Sequence, residues 1–326
     1  MPKGKVAFLT TPASGSRADL IMSLAPSELE VTCIDNALPD DEKIPLCSDA
    51  DAIMAIPPDV SVGLLRGCPN VRFIQLLSAG YDRIDVPAIG EMGIPIANNG
   101  GANAIAVAEQ TIALMISVCK KMMVQWHSTV NRRLWRDSLA ELEMVEVTGK
   151  TVGIIGLGRI GKRVAKLLKG FDAHTIYHDI LEMPEEVQGE LNARPVPLDE
   201  LLATSDIVTI HVPLTSKTRG MLGERELEMM KPSSFLVNAA RGLVVDEGAL
   251  YQALRNRRIA GAGLDVLEQE PATPDNPLFE LDNVVITPHV AGFSTETSVR
   301  AARFGYANIS SVLGGEPPES LIVPEE

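Results

Sequence analysis

The chain has 326 residues, of which 45% are hydrophobic and 22% charged, an ordinary globular composition that excludes a largely disordered protein. Its formal net charge of −14 argues against nucleic-acid binding, because phosphate contacts require clustered Lys and Arg. No apolar run approaches the ~18 residues of a membrane span, and the length predicts about two domains.

The cysteines argue against both disulfides and a metal site. Cys33, Cys47, Cys68 and Cys119 lie far apart, with no CxxC spacing. This pattern predicts reduced, mostly buried thiols of a cytoplasmic protein. We therefore expect no metal ion. The net charge and the short apolar runs predict no nucleic-acid partner and no membrane partner.

Short apolar runs alternate with longer helical patterns through most of the chain. This alternation predicts an α/β fold with doubly wound parallel sheets, whose buried strands are continuously apolar. The predicted strands cover residues 6–9, 52–56, 71–77, 94–97, 151–155, 175–178, 207–211, 234–238, 261–265 and 284–287.

The sequence predicts two long helices. The first is predicted over residues 103–124, with Asn103 as its N-cap. Residues 125–150, which follow it, are charged, contain Trp126 and Trp135 and show no clear period. The second helix is predicted over residues 295–313, before Gly314 and Gly315.

A glycine motif, GLGRIG at residues 156–161, lies between a predicted strand and a predicted helix. Gly156 permits the tight turn, Gly158 lets the backbone approach a pyrophosphate, and Gly161 lets helix and strand pack closely. Asp179 ends the next predicted strand at about the 20-residue distance expected of the acid that binds ribose. Since Ile180 supplies no cation for a 2′-phosphate, the motif predicts NAD rather than NADP.

The position of this motif predicts the domain organisation. It lies in the middle of the chain, after about 150 residues that already show an α/β pattern. The last helix nevertheless follows all predicted strands. We therefore expect a coenzyme domain at residues 103–293, inserted into a second domain formed by residues 1–102 and 294–326.

Seven motifs, in this order, resemble those of the D-isomer-specific 2-hydroxyacid dehydrogenase family. The resemblance covers nearly the whole chain and implies an NAD-dependent Rossmann domain inserted into a flavodoxin-like substrate domain, with the active site in the cleft between them. The motifs are LSAGYD (77–82), GLGRIG (156–161), HVPLT (211–215), NAARG (238–242), LDV (264–266), EQEP (268–271) and TPHVAG (287–292).

The resemblance implies a catalytic set of Arg241, Glu270 and His289. A 2-oxo acid presents a carboxylate and a ketone, and both suit the planar donor fork of Arg241. His289 would give a proton to the ketone oxygen during reduction, or remove one during oxidation. Glu270 would hold the imidazole and stabilise its charged form.

The resemblance also implies the remaining contacts. The loop of Ser78, Ala79 and Gly80 would offer backbone N–H groups to the substrate carboxylate, together with Arg241 and His289. Asp265 and the Ala239 carbonyl would orient the nicotinamide amide. Further expected coenzyme contacts are Gly156, Gly158, Arg159, Ile160, Gly161, Asp179, His211, Val212, Pro213, Thr218, His289 and Gly292. A homodimer formed through the coenzyme domains is implied, with residues 125–150 reaching across to the partner.

Each catalytic candidate also has a purely structural interpretation. Arg241 would suit a surface position after a strand, Glu270 a solvated acidic loop, and His289 a turn after Pro288. All three, however, follow predicted strands at their carboxyl ends, where open α/β sheets bind ligands.

Other functions on the same scaffold stay open to different degrees. Formate dehydrogenases place a Gln where Glu270 stands, and phosphite dehydrogenases carry a Lys near Ala79 that this chain lacks. A substrate of phosphoglycerate type is compatible with the motifs. C-terminal-binding corepressors share the fold, bind NAD as a sensor and keep the catalytic set, so turnover of a 2-oxo acid is needed to separate them from an enzyme.

Overall fold

The structure, a computed structural model, describes residues 4–323. The first three and the last three residues, which the predicted domain bounds include, lie outside the described residues. The chain divides into two compact units. Unit 1 comprises Met1–Asn103 and Phe293–Glu326, and unit 2 comprises Ala104–Gly292.

The strands follow the apolar runs of the sequence. They are β1 (Gly4–Thr10), β2 (Leu29–Asp35), β3 (Ala52–Ile56), β4 (Phe73–Leu76), β5 (Ile96–Ala97), β6 (Thr151–Ile155), β7 (His174–His178), β8 (Ala193–Pro195), β9 (Ile207–Ile210), β10 (Phe235–Asn238), β11 (Gly261–Leu264) and β12 (Val284–Ile286).

The helices lie mostly between consecutive strands. They are α1 (Gly15–Ser23), α2 (Asp40–Cys47), α3 (Val62–Gly67), α4 (Val86–Glu91), α5 (Ala104–Cys119), α6 (Met122–Trp126), α7 (Arg159–Leu168), α8 (Glu185–Leu191), α9 (Leu198–Thr204), α10 (Glu224–Met229), α11 (Glu247–Arg255) and α12 (Thr295–Leu313).

Unit 1 contains a parallel 5-stranded sheet in the order β2-β1-β3-β4-β5. This is the flavodoxin-like strand order. Two apolar clusters lie on the two faces of the sheet. The cluster that includes Phe73 and Leu77 also contains Ala301, Tyr306 and Ile309 of α12, so the last helix packs on this sheet.

Unit 2 contains a parallel 7-stranded sheet in the order β12-β11-β10-β9-β6-β7-β8. The six strands from β11 to β8 have the Rossmann order, and β12 extends it. The order reverses between β6 and β9, where doubly wound sheets bind their ligands. The predicted fold class, with Rossmann and flavodoxin-like sheets, is confirmed.

The sequence patterns miss two edge strands. In β2 only the first residue and Ile34 are buried, so the strand lacks the continuous apolar run of a central strand. The second missed strand, β8, has three residues. Both lie at sheet edges, where one side of the strand faces solvent.

The predicted single helix over residues 103–124 is wrong only near its C-terminal end, where it breaks into two helices. α5 ends at Cys119, and α6 begins at Met122. Lys121 between them has a left-handed backbone, with φ of 50°, which an α-helix cannot contain. Among residues 4–323, no helix is long and apolar enough to cross a membrane.

Candidate active site

The candidate residues of unit 2 collect at the carboxyl edge of its sheet. The glycine loop follows β6, Asp179 follows β7, and His211 follows β9. Arg241, Glu270 and His289 follow β10, β11 and β12. Since the strands are parallel, all these loops leave the same edge of the sheet.

The glycine loop is built by close backbone approaches. Gly156 has a φ of 93°, and a side chain there would lie 2.9 Å from the His211 carbonyl carbon. A side chain on Gly161 would overlap the Gly156 carbonyl oxygen, so this glycine lets α7 pack against the end of β6. Gly158 differs, because a Cβ there would meet nothing within 4 Å. A side chain at Gly158 would instead occupy the open space in front of the loop.

The N-terminus of α7 faces that space without a side-chain cap. Its N-cap is Gly158, which makes no side-chain cap hydrogen bond. The first N–H groups of a helix lack partners within the helix and carry a partial positive charge. An uncapped terminus beside an open glycine therefore suits the phosphates of a dinucleotide.

Asp179 is held rigidly beside the glycine loop. Its two carboxylate oxygens accept hydrogen bonds from the Leu157 N–H at 2.6 Å and the Leu181 N–H at 2.9 Å. A carboxylate has about four acceptor positions, so two are left for hydroxyl groups. Ile180, the next residue, is 95% exposed.

His211 lines the other side of the glycine loop. Its Nε2 lies 3.0 Å from the Thr209 hydroxyl, and burial lowers the pKa of its imidazole to about 3, so the ring is neutral. Its Nδ1 is buried and has no hydrogen-bond partner in the described part of the chain. An orphaned buried nitrogen is costly unless a ligand satisfies it.

The segment after His211 is fixed by Thr218. Its hydroxyl donates to the Pro213 carbonyl at 2.6 Å and accepts from the Thr215 N–H at 2.8 Å. The expected coenzyme contact of this hydroxyl therefore competes with the bonds that shape the loop. Val212 packs against the unit 2 core and lies close to Gly156.

The open Gly158, the uncapped helix, the anchored Asp179 and the orphaned His211 nitrogen together fit a bound dinucleotide. A small apolar cluster lies beneath these features. It is formed by Val107, Ala239 and Ala291, with Ile160 packed against it. The structure thus brings the start of α7 together with the loops that carry Arg241 and His289.

A buried amide shapes the loop that carries Arg241. Asn238 is 1% exposed, and its side chain donates to the Arg241 carbonyl at 2.9 Å and accepts from the Ala240 N–H at 3.0 Å. The Arg241 guanidinium donates to the Ala240 carbonyl at 2.6 Å. A side chain on Gly242 would overlap the Leu267 backbone, so this loop packs tightly on the segment that leads to Glu270.

Glu270 and His289 form a direct pair. Glu270 Oε2 lies 2.5 Å from His289 Nδ1, and Oε1 accepts from the Leu267 N–H at 3.1 Å. Burial disfavours the charged carboxylate, but the bond to His289, its charge, the Leu267 N–H and the Arg241 charge outweigh burial and lower the pKa of Glu270. Glu270 is therefore an anion at neutral pH, and His289 Nε2 is the ring nitrogen left for another partner.

Asp265 holds the loop on which His289 stands. Its buried carboxylate accepts from the Thr287 hydroxyl at 2.5 Å and from the N–H groups of Val290 and Ala291 at 3.0 and 2.8 Å. His289 has a left-handed φ of 54°, and its N–H donates to the Asp265 carbonyl at 2.7 Å. Three of about four acceptor positions on this carboxylate are thus used within the protein. Gly292 ends both this loop and unit 2.

The candidate substrate loop lies in unit 1, after β4. The Leu77 carbonyl accepts from the Asn99 amide at 3.4 Å, and the Ser78 carbonyl accepts from the Asn99 N–H at 3.1 Å. The Ala79 carbonyl accepts from the Asn98 amide at 3.3 Å. We name these three bonds the asparagine clamp.

The clamp fixes the direction of the loop N–H groups. In a trans peptide the C=O and N–H groups point in opposite directions. Since the carbonyls of residues 77–79 are bound from the clamp side, the N–H groups of Ser78, Ala79 and Gly80 point away from it. Among residues 4–323, none of these three N–H groups has a hydrogen-bond acceptor. Such a row of free N–H groups suits an anion.

Sequence patterns did not identify several residues that build these sites. Asn238 stands within the NAARG motif, and Asn98 and Asn99 stand between a strand and two glycines, so each had a visible signal. The signal was a polar residue at the end of a buried strand. Within the described residues, no cluster of three or more His, Cys, Asp or Glu could hold a metal ion.

The chain is similar to several known proteins. The family model described as D-isomer specific 2-hydroxyacid dehydrogenase, NAD binding domain, matches residues 112–291. A glyoxylate reductase of Korarchaeum cryptofilum is 39% identical over 85% of this chain and 84% of its own.

Two further proteins extend the comparison. A D-3-phosphoglycerate dehydrogenase of Archaeoglobus fulgidus is 37% identical over 81% of this chain, which spans 49% of that longer protein. The NAD-complexed structure of a D-isomer specific 2-hydroxyacid dehydrogenase from Lactobacillus delbrueckii ssp. bulgaricus has 28% identity and a TM-score of 0.77. That match covers 98% of this chain and 100% of the other.

Proposed function

The chain belongs to the D-isomer specific 2-hydroxyacid dehydrogenase family, and from that premise we propose that it reduces a small 2-oxo acid to the D-2-hydroxy acid, or catalyses the reverse oxidation. NAD is its coenzyme. The proposed substrates are of glyoxylate, hydroxypyruvate or phosphoglycerate type. The observation that carries the proposal is the 2.5 Å contact between Glu270 and His289, with the Arg241 charge acting on the same carboxylate.

The proposed roles follow from the chemistry of a 2-oxo acid. Arg241 binds the carboxylate and the ketone oxygen through its planar fork of donors. His289 delivers a proton to the ketone oxygen during reduction and accepts it during oxidation. Glu270 stays ionised and keeps the imidazole oriented and protonatable. NADH, when bound, supplies the hydride.

We propose that Asp179 gives NADH preference over NADPH. Two hydrogen bonds to backbone N–H groups fix its carboxylate beside the glycine loop, where it can accept the ribose hydroxyls. The same fixed charge would repel a 2′-phosphate, and the neighbouring Ile180 supplies no cation to offset that repulsion.

Replacement of Asp179 tests this preference. In Asp179→Ala the ratio of kcat/KM for NADH to that for NADPH should fall, mainly through a lower KM for NADPH. The exposed Glu182→Ala removes a nearby acid without this geometry and serves as the control. A wild-type enzyme that uses both coenzymes equally well would contradict the assigned role of Asp179.

We propose that unit 1 is the substrate domain and unit 2 the coenzyme domain. The free N–H groups of Ser78, Ala79 and Gly80 are the donors that unit 1 offers to a carboxylate. The features that fit a dinucleotide, from Gly156 to Gly161 and at Asp179, all belong to unit 2.

The activity is tested by NADH oxidation with glyoxylate, hydroxypyruvate, pyruvate and bulkier 2-oxo acids. The reverse reaction is measured with NAD⁺ and 3-phosphoglycerate. We expect turnover of at least one acid by the wild type and its near loss in His289→Ala. Tight NADH binding without turnover of any acid would contradict the proposal and favour an NAD-sensing binding protein.

We propose a homodimer that forms through residues 122–144. This stretch exposes an unusual set of large apolar side chains, which on a monomer would face water. They are Met122, Met123, Trp126, Val130, Leu134, Trp135 and Met144. Light scattering should give twice the chain mass for the wild type and a lower mass for Trp126→Glu, and a monomeric wild type would contradict the proposal.

A cytoplasmic location is proposed from the thiols. All four cysteines are free, and Cys47, Cys68 and Cys119 are buried. Burial raises the pKa of the Cys47 and Cys119 thiols to about 12, which keeps them protonated and unreactive. Thiol counting on freshly lysed cells should find no disulfide, and an oxidised chain would contradict this location.

A further inference from the structure

A buried glutamine lies directly beneath the substrate loop. Gln75 stands within β4 and is 0% exposed. Its side-chain amide donates to the Leu76 carbonyl and to the Asn98 carbonyl, each at 2.9 Å. Its side-chain oxygen accepts from the Asn308 amide at 2.9 Å. A buried parallel strand is normally apolar throughout, so the burial of the polar Gln75 side chain requires an explanation.

Asn308 brings α12 into the same network. Its amide donates to Gln75 and also to the Glu319 carbonyl at 2.9 Å, while its side-chain oxygen accepts from the Glu319 N–H at 2.9 Å. α12 comes close enough because Gly305, one turn earlier, has no side chain: a Cβ there would lie 3.0 Å from Leu77 and 3.1 Å from Gln75.

The two amides have only one workable orientation. Both N–H groups of Gln75 and both of Asn308 meet carbonyl or amide oxygens, and each side-chain oxygen meets an N–H. Flipping either amide would oppose oxygen to oxygen in a buried site. The pair is therefore a rigid connection between α12 and Asn98, which makes one of the three bonds of the asparagine clamp.

The C-terminal segment Glu319–Ile322 completes the support. The Asn98 N–H donates to the Ser320 carbonyl at 3.2 Å, and the Ile322 N–H donates to the Ile96 carbonyl at 2.8 Å. Ala97 and Leu321 form an antiparallel bridge. The backbone of Asn98 is thus held at its N–H by the C-terminal segment and at its carbonyl by Gln75.

We propose that Gln75, Asn308 and the segment 319–322 are positioning elements for the substrate carboxylate. They act by fixing Asn98, whose side chain holds the Ala79 carbonyl and so aims the Gly80 N–H. None of them touches the substrate. The inference rests on the proposed function, because it assigns the loop N–H groups to the carboxylate of a 2-oxo acid.

The alternative is that the network only stabilises unit 1. Buried, fully satisfied amides contribute to stability wherever they occur. A positioning role predicts more: weaker binding of the carboxylate in a protein that is still folded. The substrate KM and the affinity for a carboxylate inhibitor report on this, whereas NADH affinity should not change.

The test compares Asn308→Leu with Tyr306→Phe. Asn308→Leu keeps the branching and the number of heavy atoms of the side chain and removes all three of its hydrogen bonds. Tyr306→Phe removes one buried hydrogen bond from the same helix, to the Ile21 carbonyl at 3.1 Å, which does not lead to the substrate loop. Both variants are measured for melting temperature, NADH affinity, steady-state kinetics and inhibition by oxamate.

We expect Asn308→Leu to raise the substrate KM and the oxamate inhibition constant about tenfold, with a smaller change in kcat. NADH affinity should stay at the wild-type value. Tyr306→Phe should lower the melting temperature and leave both constants unchanged. Unchanged constants in a folded Asn308→Leu, or equal changes in both variants, would overturn the inference.

A second variant covers the case in which Asn308→Leu does not fold. Gln75→Met keeps the volume of the side chain and removes the same link from its other end. It should raise the same two constants, and wild-type constants in a folded Gln75→Met would overturn the inference. A wild type that turns over no 2-oxo acid would instead refute the proposed function itself.

Discussion

The charged loops of unit 2 and the neutral loop of unit 1 differ in the kind of group that they present. In unit 2 the groups are side chains, with Glu270 in contact with His289 and under the influence of the Arg241 charge. In unit 1 the donors are the backbone N–H groups of residues 78–80. Their direction is set by Asn98 and Asn99, which bind the carbonyls on the opposite side.

This difference predicts how each region responds to substitution. A charged side chain acts at the reacting atoms, so its loss should reduce kcat or remove a strong ionic contact. A backbone donor cannot be deleted by an ordinary substitution, so the loop is changed only through the amides behind it. We expect those changes to be smaller and to appear mainly in KM.

The largest effect is expected at His289. His289→Ala removes the group that exchanges a proton with the substrate, and kcat should fall about 10²–10⁴-fold, the usual contribution of a positioned general acid. His289 is also an expected coenzyme contact, so NADH affinity should fall, but by a much smaller factor than kcat. Stopped-flow or steady-state rates measure kcat, and fluorescence titration measures the affinity for NADH. A loss of less than about tenfold would remove His289 from the proton transfer.

Arg241→Lys should have the next largest effect. Lys keeps the charge but lacks the planar fork, and hydrogen bonds to charged groups contribute about 1.5–3 kcal/mol. We expect kcat/KM for the 2-oxo acid to fall at least about tenfold. NADH affinity is the internal control. If it fell by the same factor, Arg241 would belong to the coenzyme site instead.

A smaller effect is expected in the neutral loop. Asn98→Ala releases the Ala79 carbonyl and also the Gly100 N–H. Each neutral hydrogen bond contributes about 0.5–1.5 kcal/mol, so KM should rise at least about two- to tenfold while kcat changes less. Asn36→Ala is the control for loss of an asparagine side chain that binds a backbone carbonyl of unit 1, here that of Asp59 at 3.0 Å. A selective loss of kcat in Asn98→Ala would break the distinction between the two regions.

The same distinction explains what the sequence could predict. The fold class was predictable because buried parallel strands are continuous apolar runs and the glycine motif marks the turn after β6. The family was predictable because its motifs contain the side chains that the chemistry requires. The assigned roles of Arg241, Glu270 and His289 stay predictions, although the structure places Glu270 and His289 in contact.

The support of the substrate loop was not predictable by the same reasoning. Gln75 and Asn308 are separated by 233 positions, and neither lies in a recognisable motif. Their function depends on hydrogen-bond geometry across a sheet and a helix, which no local pattern encodes. The edge strands β2 and β8 escaped notice for a related reason, since partial exposure removes the apolar run that marks a central strand.

The last prediction concerns the Glu270–His289 pair. Glu270→Gln keeps the shape of the side chain and removes its charge. The negative charge stabilises protonated His289, and the lowered pKa of Glu270 is the reciprocal effect of that interaction together with its other partners. Without the charge, this stabilisation of protonated His289 is lost.

The sign is the same in both directions of the reaction. Reduction needs protonated His289, so the alkaline limb of the pH–rate profile for reduction should move to lower pH in Glu270→Gln. Oxidation needs neutral His289, so its acidic limb should also move to lower pH. Profiles of kcat/KM against pH measure both limbs, with Glu268→Gln as a control that removes an exposed acid two residues away. Limbs that stay in place or move to higher pH would show that Glu270 does not act on His289 through its charge.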